Sequence, residues 1–327
     1  MKRIAVLDDY QGTVPSLPYW SRLSGRATVD AFRDTVSAED ELVHRLGPYE
    51  ILVLIRERTR FPASLIQRLP ALELLALTGR NSGQVDAAAA TARGILVTET
   101  EGSGVAAMEL TIGLLLATVR RIPQEDRAVR EGRWQTGIGV ELSGKTLGIL
   151  GLGRIGGRIA AFGRLLGMRV IAWGPTLTEE RAAAGGVTFV PLDTLFRESD
   201  VVSLHLRLSE RTRGLVTAHH LSLMKPTAHL INTARGPLVD EAALVATLRE
   251  RRIAGAGLDV FDVEPLPSNH PLLSLDNVVL TPHTGYVTQE AYHIFFRQVV
   301  ENIESYLDGM LPTRALNAEA MKRRGTG

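Results

Sequence analysis

Short apolar runs alternate with helix-period segments along the whole chain, the pattern of parallel sheets wound with helices. In the first hundred residues, strands are expected at Arg3–Leu7, Ile51–Ile55, Glu73–Leu77 and Ile95–Val97. Helices are expected between them at Ser37–Leu46, Pro62–Leu69 and Val85–Ala92. Ser37 with Asp40 reads as a helix cap with an acidic partner three residues on, Pro62 suits a first helical turn, and Gly94 a helix end. A long helix follows over about Gly104–Arg121, stopped at Ile122-Pro123, and a second runs to about Gly132. From Leu142 a second series begins, with strands at Thr146–Leu150, Arg169–Trp173, Thr188–Val190, Val201–Leu206, Ala228–Asn232, Gly255–Leu258 and Val278–Thr281. A long helix, Thr288–Leu307, closes the series with no strand after it. A helix so placed crosses back to the first domain and makes that domain discontinuous.

Composition narrows the class. At 327 residues the chain holds two domains, each with its own core. A net charge of +1 with no face-sized basic cluster predicts no nucleic-acid partner. Lys322-Arg323-Arg324 beside Gly325-Thr-Gly327 reads as a frayed terminus. Without cysteine there are no disulfides, thiolate metal sites or cysteine nucleophiles. The chain opens at once on a strand pattern, without a signal-peptide core. Its longest apolar run, Leu110–Val119, is too short to span a bilayer. A soluble, cytoplasmic protein with no membrane partner is expected.

The most specific signal is Thr146-Leu-Gly-Ile-Leu-Gly-Leu-Gly-Arg-Ile-Gly-Gly157, a GxGxxG that follows a strand and opens a helix. Gly151 allows the tight turn, Gly153 lets backbone N–H groups approach a pyrophosphate, and Gly156 brings helix and strand together. The helix N-terminus adds unpaired N–H groups and a positive dipole end. Three polar segments then fall at strand ends: Asn232-Thr-Ala-Arg-Gly-Pro-Leu-Val-Asp240, Gly257-Leu-Asp-Val-Phe-Asp-Val-Glu-Pro265 and Leu280-Thr-Pro-His-Thr-Gly285. Ligands of doubly wound sheets bind outside the carboxyl ends of the strands, so all three face one crevice. Reduction of a 2-oxo acid needs a cation for the carboxylate, a proton donor for the carbonyl oxygen, and a hydride. Arg235 offers the planar fork that matches a carboxylate. His283 donates a proton near neutral pH, and Glu264 beside it favours the imidazolium and fixes its orientation.

These segments, with Gly151-Leu-Gly-Arg-Ile-Gly156 and Thr281-Pro-His283, resemble the D-isomer-specific 2-hydroxyacid dehydrogenase family over about residues 70–300. The resemblance implies a doubly wound α/β Rossmann domain, residues 102–286, inserted into a flavodoxin-like substrate domain made of residues 1–101 and 287–327. The cleft lies between them, and a homodimer forms through the nucleotide-binding domain. It implies an NAD(P)-dependent oxidoreductase in which Arg235 binds substrate while Glu264 and His283 form the acid–base pair. Cofactor contacts fall on Gly151, Gly153, Arg154, Ile155, Gly156, Gly174, Thr233 and Asp259, with Asp259 at the nicotinamide carboxamide. Glu109, in Val105-Ala-Ala-Met-Glu-Leu110, lies near the cleft without a chemical step.

Three departures change details. The family ends its second nucleotide-domain strand with an Asp for the adenosine ribose, where this chain has Gly174, 18 residues past Gly156. NADP therefore becomes possible. Arg181 is the nearest arginine, yet it stands behind Glu179 and Glu180, whose charge opposes a phosphate, and the balance favours NAD. The family's glycine-rich substrate loop reads Thr78-Gly-Arg-Asn-Ser-Gly-Gln84, so Arg80, Asn81 and Ser82 are candidate substrate contacts, suited to a second acidic group. Arg207 stands where the family has proline and has no reading.

Plainer roles compete. His44, His219, His220, His229 and His293 lie on helix or strand patterns without metal-ligand spacing, so no metal site is expected. Trp134 and Trp173 read as packing residues. The rival functions are a non-catalytic dinucleotide-sensing regulator on the same fold and a formate dehydrogenase, the latter disfavoured because it would carry Gln in place of Glu264. Only about twenty residues follow the closing helix, which argues against a serine-regulated phosphoglycerate enzyme.

Overall fold

The computed structural model describes residues 1–81 and 83–324. The chain divides into two compact units, Met1–Ser103 with Thr288–Gly327, and Gly104–Val287.

In the first unit five parallel strands, β1 (Lys2–Leu7), β2 (Ala27–Ala31), β3 (Ile51–Ile55), β4 (Leu74–Thr78) and β5 (Leu96–Thr98), are ordered β2-β1-β3-β4-β5. Every residue of β3 and β4 is buried, as expected where helices cover both faces of a parallel sheet. Strand β2 lacks an apolar run: Ala-Thr-Val-Asp-Ala is half exposed and held at the edge by its pairing with β1. Tertiary pairing, not local pattern, makes it a strand. The helix expected from Ser37 begins at Glu39, with Ala38 as N-cap and no side-chain cap, so the Ser37 cap is not formed. Pro62 precedes the helix Ala63–Gln67 as its N-cap instead of lying in the first turn. The helix Gln289–Leu307 belongs to this unit, capped by Thr288, whose side chain accepts the Ala291 N–H. Beyond it, Asn317 accepts the Val97 N–H at 2.8 Å and donates to the Ile95 carbonyl, and a further helix runs Glu319–Arg324; Gly325-Thr-Gly327 lie outside the described residues.

The second unit holds seven parallel strands: β6 (Thr146–Leu150), β7 (Arg169–Trp173), β8 (Thr188–Phe189), β9 (Val201–Leu204), β10 (His229–Asn232), β11 (Gly255–Leu258) and β12 (Val278–Leu280). Their order in the sheet is β12-β11-β10-β9-β6-β7-β8. Strand β6 is central. The chain builds outward from it through β7 and β8 on one side, then returns through β9 to β12 on the other. The loop after β6 therefore sits at the topological switch point, where a doubly wound sheet opens a crevice. Leu150, Trp173 and Leu204 are in register, and so are Asn232, Leu258 and Leu280. All the loops that follow these strands emerge on one edge. Trp173 packs against the core as expected. Trp134 does not: it is 76% exposed on the irregular stretch after the helix Ile122–Arg130.

His229 opens β10 with 7% of its surface exposed, and burial pushes its imidazole down to about 4. The native state thus favours the neutral ring. Its contribution to stability is complete above the ordinary value of 6.5 and is lost as pH falls from 6.5 toward about 4. The linkage amounts to roughly 3 kcal/mol, because each tenfold loss of proton affinity is worth about 1.4 kcal/mol. His229→Gln is expected to flatten the decline of the unfolding midpoint across this window in pH-dependent melts; an unchanged slope would assign the acid sensitivity elsewhere.

Candidate functional site

The loop after β6 has the form a pyrophosphate requires. Gly151 has φ +98°, outside the range of residues with a side chain, and its N–H donates to the Trp173 carbonyl. Gly153 is the N-cap of the twelve-residue helix Arg154–Leu165, and a Cβ there would meet nothing within 4 Å. Backbone donors at a helix N-terminus and an open approach over Gly153 fit a dinucleotide phosphate. Gly156 is needed for the opposite reason, since a Cβ would lie 2.1 Å from the Gly151 carbonyl oxygen. Arg154 and Ile155 open the helix. A side chain at Gly174 would lie 3.5 Å from the Leu177 Cβ and 3.8 Å from the Gly151 Cα, so the position borders the fingerprint and has no carboxylate to offer. Arg181 turns its guanidinium back to the Thr176 carbonyl, 2.7 Å away, on the loop after Gly174.

At the other end of the same edge, three loops converge. Arg235 follows β10 and is half-buried, with Nη1 donating to the Ala234 carbonyl at 2.6 Å. Asn232 shapes that loop by donating to the Arg235 carbonyl and accepting the Ala234 N–H. Thr233 shares a hydrogen bond with Thr111 at 2.7 Å. Glu264 lies in the loop after β11. One carboxylate oxygen accepts the Phe261 N–H at 2.9 Å, and the other is 2.6 Å from His283 Nδ1. The two carboxylate contacts leave Nε2 as the ring nitrogen available to a substrate. Gly236 joins the two loops, because a Cβ on it would lie 2.1 Å from the Phe261 carbonyl carbon.

His283 is held in a left-handed conformation, φ +52°, which costs on the order of 1–3 kcal/mol for a residue with a side chain. Asp259 holds it there. The His283 N–H donates to the Asp259 carbonyl, and the Asp259 carboxylate accepts from Thr281 Oγ1 and the N–H groups of Thr284 and Gly285. Burial raises this carboxyl above the usual range while those donors pull it back. Asp259 is fully buried, and these contacts give it a loop-holding part beside the cofactor role expected for it. Tyr286, which no sequence motif singles out, sets its ring edge-on to His283 at 5.8 Å between centroids.

The loop after β4 belongs to the first unit. Asn81 turns its side chain inward, donating to the Val85 carbonyl and accepting the Gly83 N–H, which closes the loop on itself. Arg80 is exposed. Ser82 lies outside the described residues. Glu109 is exposed on the first turn of the helix Ala106–Val119. Among the described residues, no group of three metal-ligating side chains could hold an ion, and no helix is long and apolar enough to cross a membrane.

Residues 112–285 match the family described as D-isomer specific 2-hydroxyacid dehydrogenase, NAD binding domain. The chain is 42% identical to a glyoxylate reductase of Aeropyrum pernix, over 82% of this chain and 83% of that one. It is 38% identical to a D-3-phosphoglycerate dehydrogenase of Archaeoglobus fulgidus, over 88% of this chain and 55% of the other, so it spans about half of that relative. The solved structure of a phosphoglycerate oxidoreductase from Vibrio cholerae O395 superposes with a TM-score of 0.90 at 42% identity, covering 94% of this chain and 99% of that one. The chain belongs to the D-isomer-specific 2-hydroxyacid dehydrogenase family. It is an oxidoreductase of 2-hydroxy acids with a Rossmann domain for NAD(H).

Gly156→Ala is expected to force helix Arg154–Leu165 off β6, lowering stability by about 1–3 kcal/mol. NADH affinity, read by fluorescence titration, falls with it. Wild-type affinity in this variant would remove the fingerprint from cofactor binding.

Proposed function

We propose that the chain acts as a reductase of a small 2-oxo acid, with residues 104–287 as its NAD(H)-binding domain and the remainder as its substrate domain. Arg235 binds the substrate carboxylate through its planar fork, and His283 with Glu264 is the acid–base pair. Bound NADH supplies the hydride to the carbonyl carbon. His283 gives the Nε2 proton to the carbonyl oxygen, and takes it back when a hydroxy acid is oxidised. Glu264 keeps the ring turned, because its carboxylate is itself fixed by the Phe261 N–H. The observation that carries this reading is the 2.6 Å contact between His283 Nδ1 and Glu264 Oε2, made by loops nineteen residues apart at the edge from which Arg235 also projects. That Glu, not Gln, faces the imidazole favours this reading over a formate dehydrogenase, and the intact pair favours it over a regulator without chemistry.

Glyoxylate and the oxo acid related to 3-phosphoglycerate are the first substrates to try, since relatives are named for glyoxylate reduction and 3-phosphoglycerate dehydrogenation. Cofactor contacts are proposed for Gly151, Gly153, Arg154, Ile155, Gly156, Gly174, Thr233 and Asp259. Gly174 withholds the carboxylate that would repel a 2′-phosphate, while Arg181, the nearest arginine, stands in the helix Glu179–Ala184 behind Glu179 and Glu180, so NADH is preferred and NADPH is tolerated. A homodimer through this domain is supported by Ile122, Val129, Trp134 and Ile138, which are 54%, 53%, 76% and 95% exposed within one short stretch. The reading places the protein in the cytoplasm.

Assays of NADH and NADPH oxidation with glyoxylate, hydroxypyruvate and phenylpyruvate test the function directly. In the best of these, His283→Gln is expected to fold normally and lose roughly 10²–10⁴ in turnover. Near-wild-type turnover would remove His283 from the mechanism.

A further inference from the structure

The loop that carries Glu264 is anchored from outside the acid–base pair. Phe261 and Asp262 present successive backbone N–H groups: the first donates to Glu264 Oε1 at 2.9 Å, the second to Glu241 Oε2 at 3.1 Å. Glu241 opens the helix Glu241–Arg249, just after the N-cap Asp240, so its backbone is fixed by a helix end. Its other carboxylate oxygen lies 3.1 Å from His270 Nε2. His270 Nδ1 accepts the Leu272 N–H, so the ring proton resides on Nε2 and points at Glu241. Both side chains are mostly buried, Glu241 20% and His270 15% exposed, which favours a fixed geometry over a mobile surface pair. The peptide between Phe261 and Asp262 also lies against Gly236, with a Cβ there falling 2.1 to 2.6 Å from its atoms.

We propose that Glu241, clamped by His270, is a positioning residue for the acid–base pair: it fixes the Phe261–Asp262 peptide whose neighbouring N–H orients the Glu264 carboxylate toward His283. Glu241 touches neither substrate nor cofactor in this scheme and acts only through Glu264. The proposal rests on the function assigned above. A displacement on the order of 1 Å at a reacting group costs up to about 10²-fold in rate, so loss of one outer anchor should cost about tenfold.

Glu241→Ala is expected to lower kcat for the best oxo acid about tenfold, with KM and the fluorescence-measured Kd of NADH within about twofold of wild type. Glu241→Gln keeps an acceptor for the Asp262 N–H and should recover most of the rate. In a Glu264→Gln background the same Glu241→Ala change should cost less than about twofold, because coupled residues do not add. Full activity in Glu241→Ala, a loss confined to KM, or equal losses in both backgrounds overturns the proposal. Hydrogen exchange gives a second arm that is independent of substrate. Amides of 261–264 should exchange at least about tenfold faster in Glu241→Ala, while those of β12 stay unchanged. If the wild type reduces no oxo acid, the functional reading falls, and exchange alone decides whether Glu241 holds the loop; unchanged exchange overturns it. Should Glu241→Ala fail to fold, His270→Ala removes the clamp alone and carries the same expectations at smaller size.

Discussion

A carboxylate held at both oxygens is the constraint on which the site depends. Glu264 accepts a backbone N–H on one side and meets the imidazole of His283 on the other. Either contact alone would leave the side chain a choice of rotamers. Together they fix which ring nitrogen faces outward, and hence where a proton can be exchanged. A charge-assisted contact of this length is strong only because neither partner is free to turn away.

That arrangement is assembled from distant parts of the chain by a parallel sheet. Register between β10, β11 and β12 puts Arg235, Asp259 and His283 on consecutive loops at one edge, and the switch point beside β6 puts the glycine-rich turn on the same edge. The edge also holds a residue in the left-handed backbone region. His283 sits at positive φ and is kept there by a fully buried carboxylate, Asp259, that accepts from three neighbours. Strain at the reacting residue, supported by a saturated network, is what a preorganised acid–base group requires.

Much of this was legible in the chain because the signals are local. Strands β3, β4 and β6 are continuous apolar runs, and the glycines at 151, 153 and 156 each answer a separate geometric need. Arg235, Glu264 and His283 could be chosen because each lies in the loop that follows a recognisable strand. What escaped depended on partners elsewhere. Strand β2 has a single large apolar residue and is defined by its pairing with β1. The Ser37 cap failed because the helix begins two residues later than its pattern suggested. The part Asn81 plays in closing its own loop has no local signal. Trp134 looks like a core residue and is exposed. Glu241 and His270 gave no signal at all, since a helix-opening glutamate and a histidine before proline are ordinary until the fold brings them to the Glu264 loop.

The central claim is that Glu264 and His283 act as one unit. The most direct measurement is kcat/KM for Glu264→Gln, His283→Gln and the double variant in the reductive assay. The account predicts strong non-additivity, with the double variant little slower than His283→Gln alone. Losses that multiply would mean that the two side chains contribute separately, and the account would be wrong.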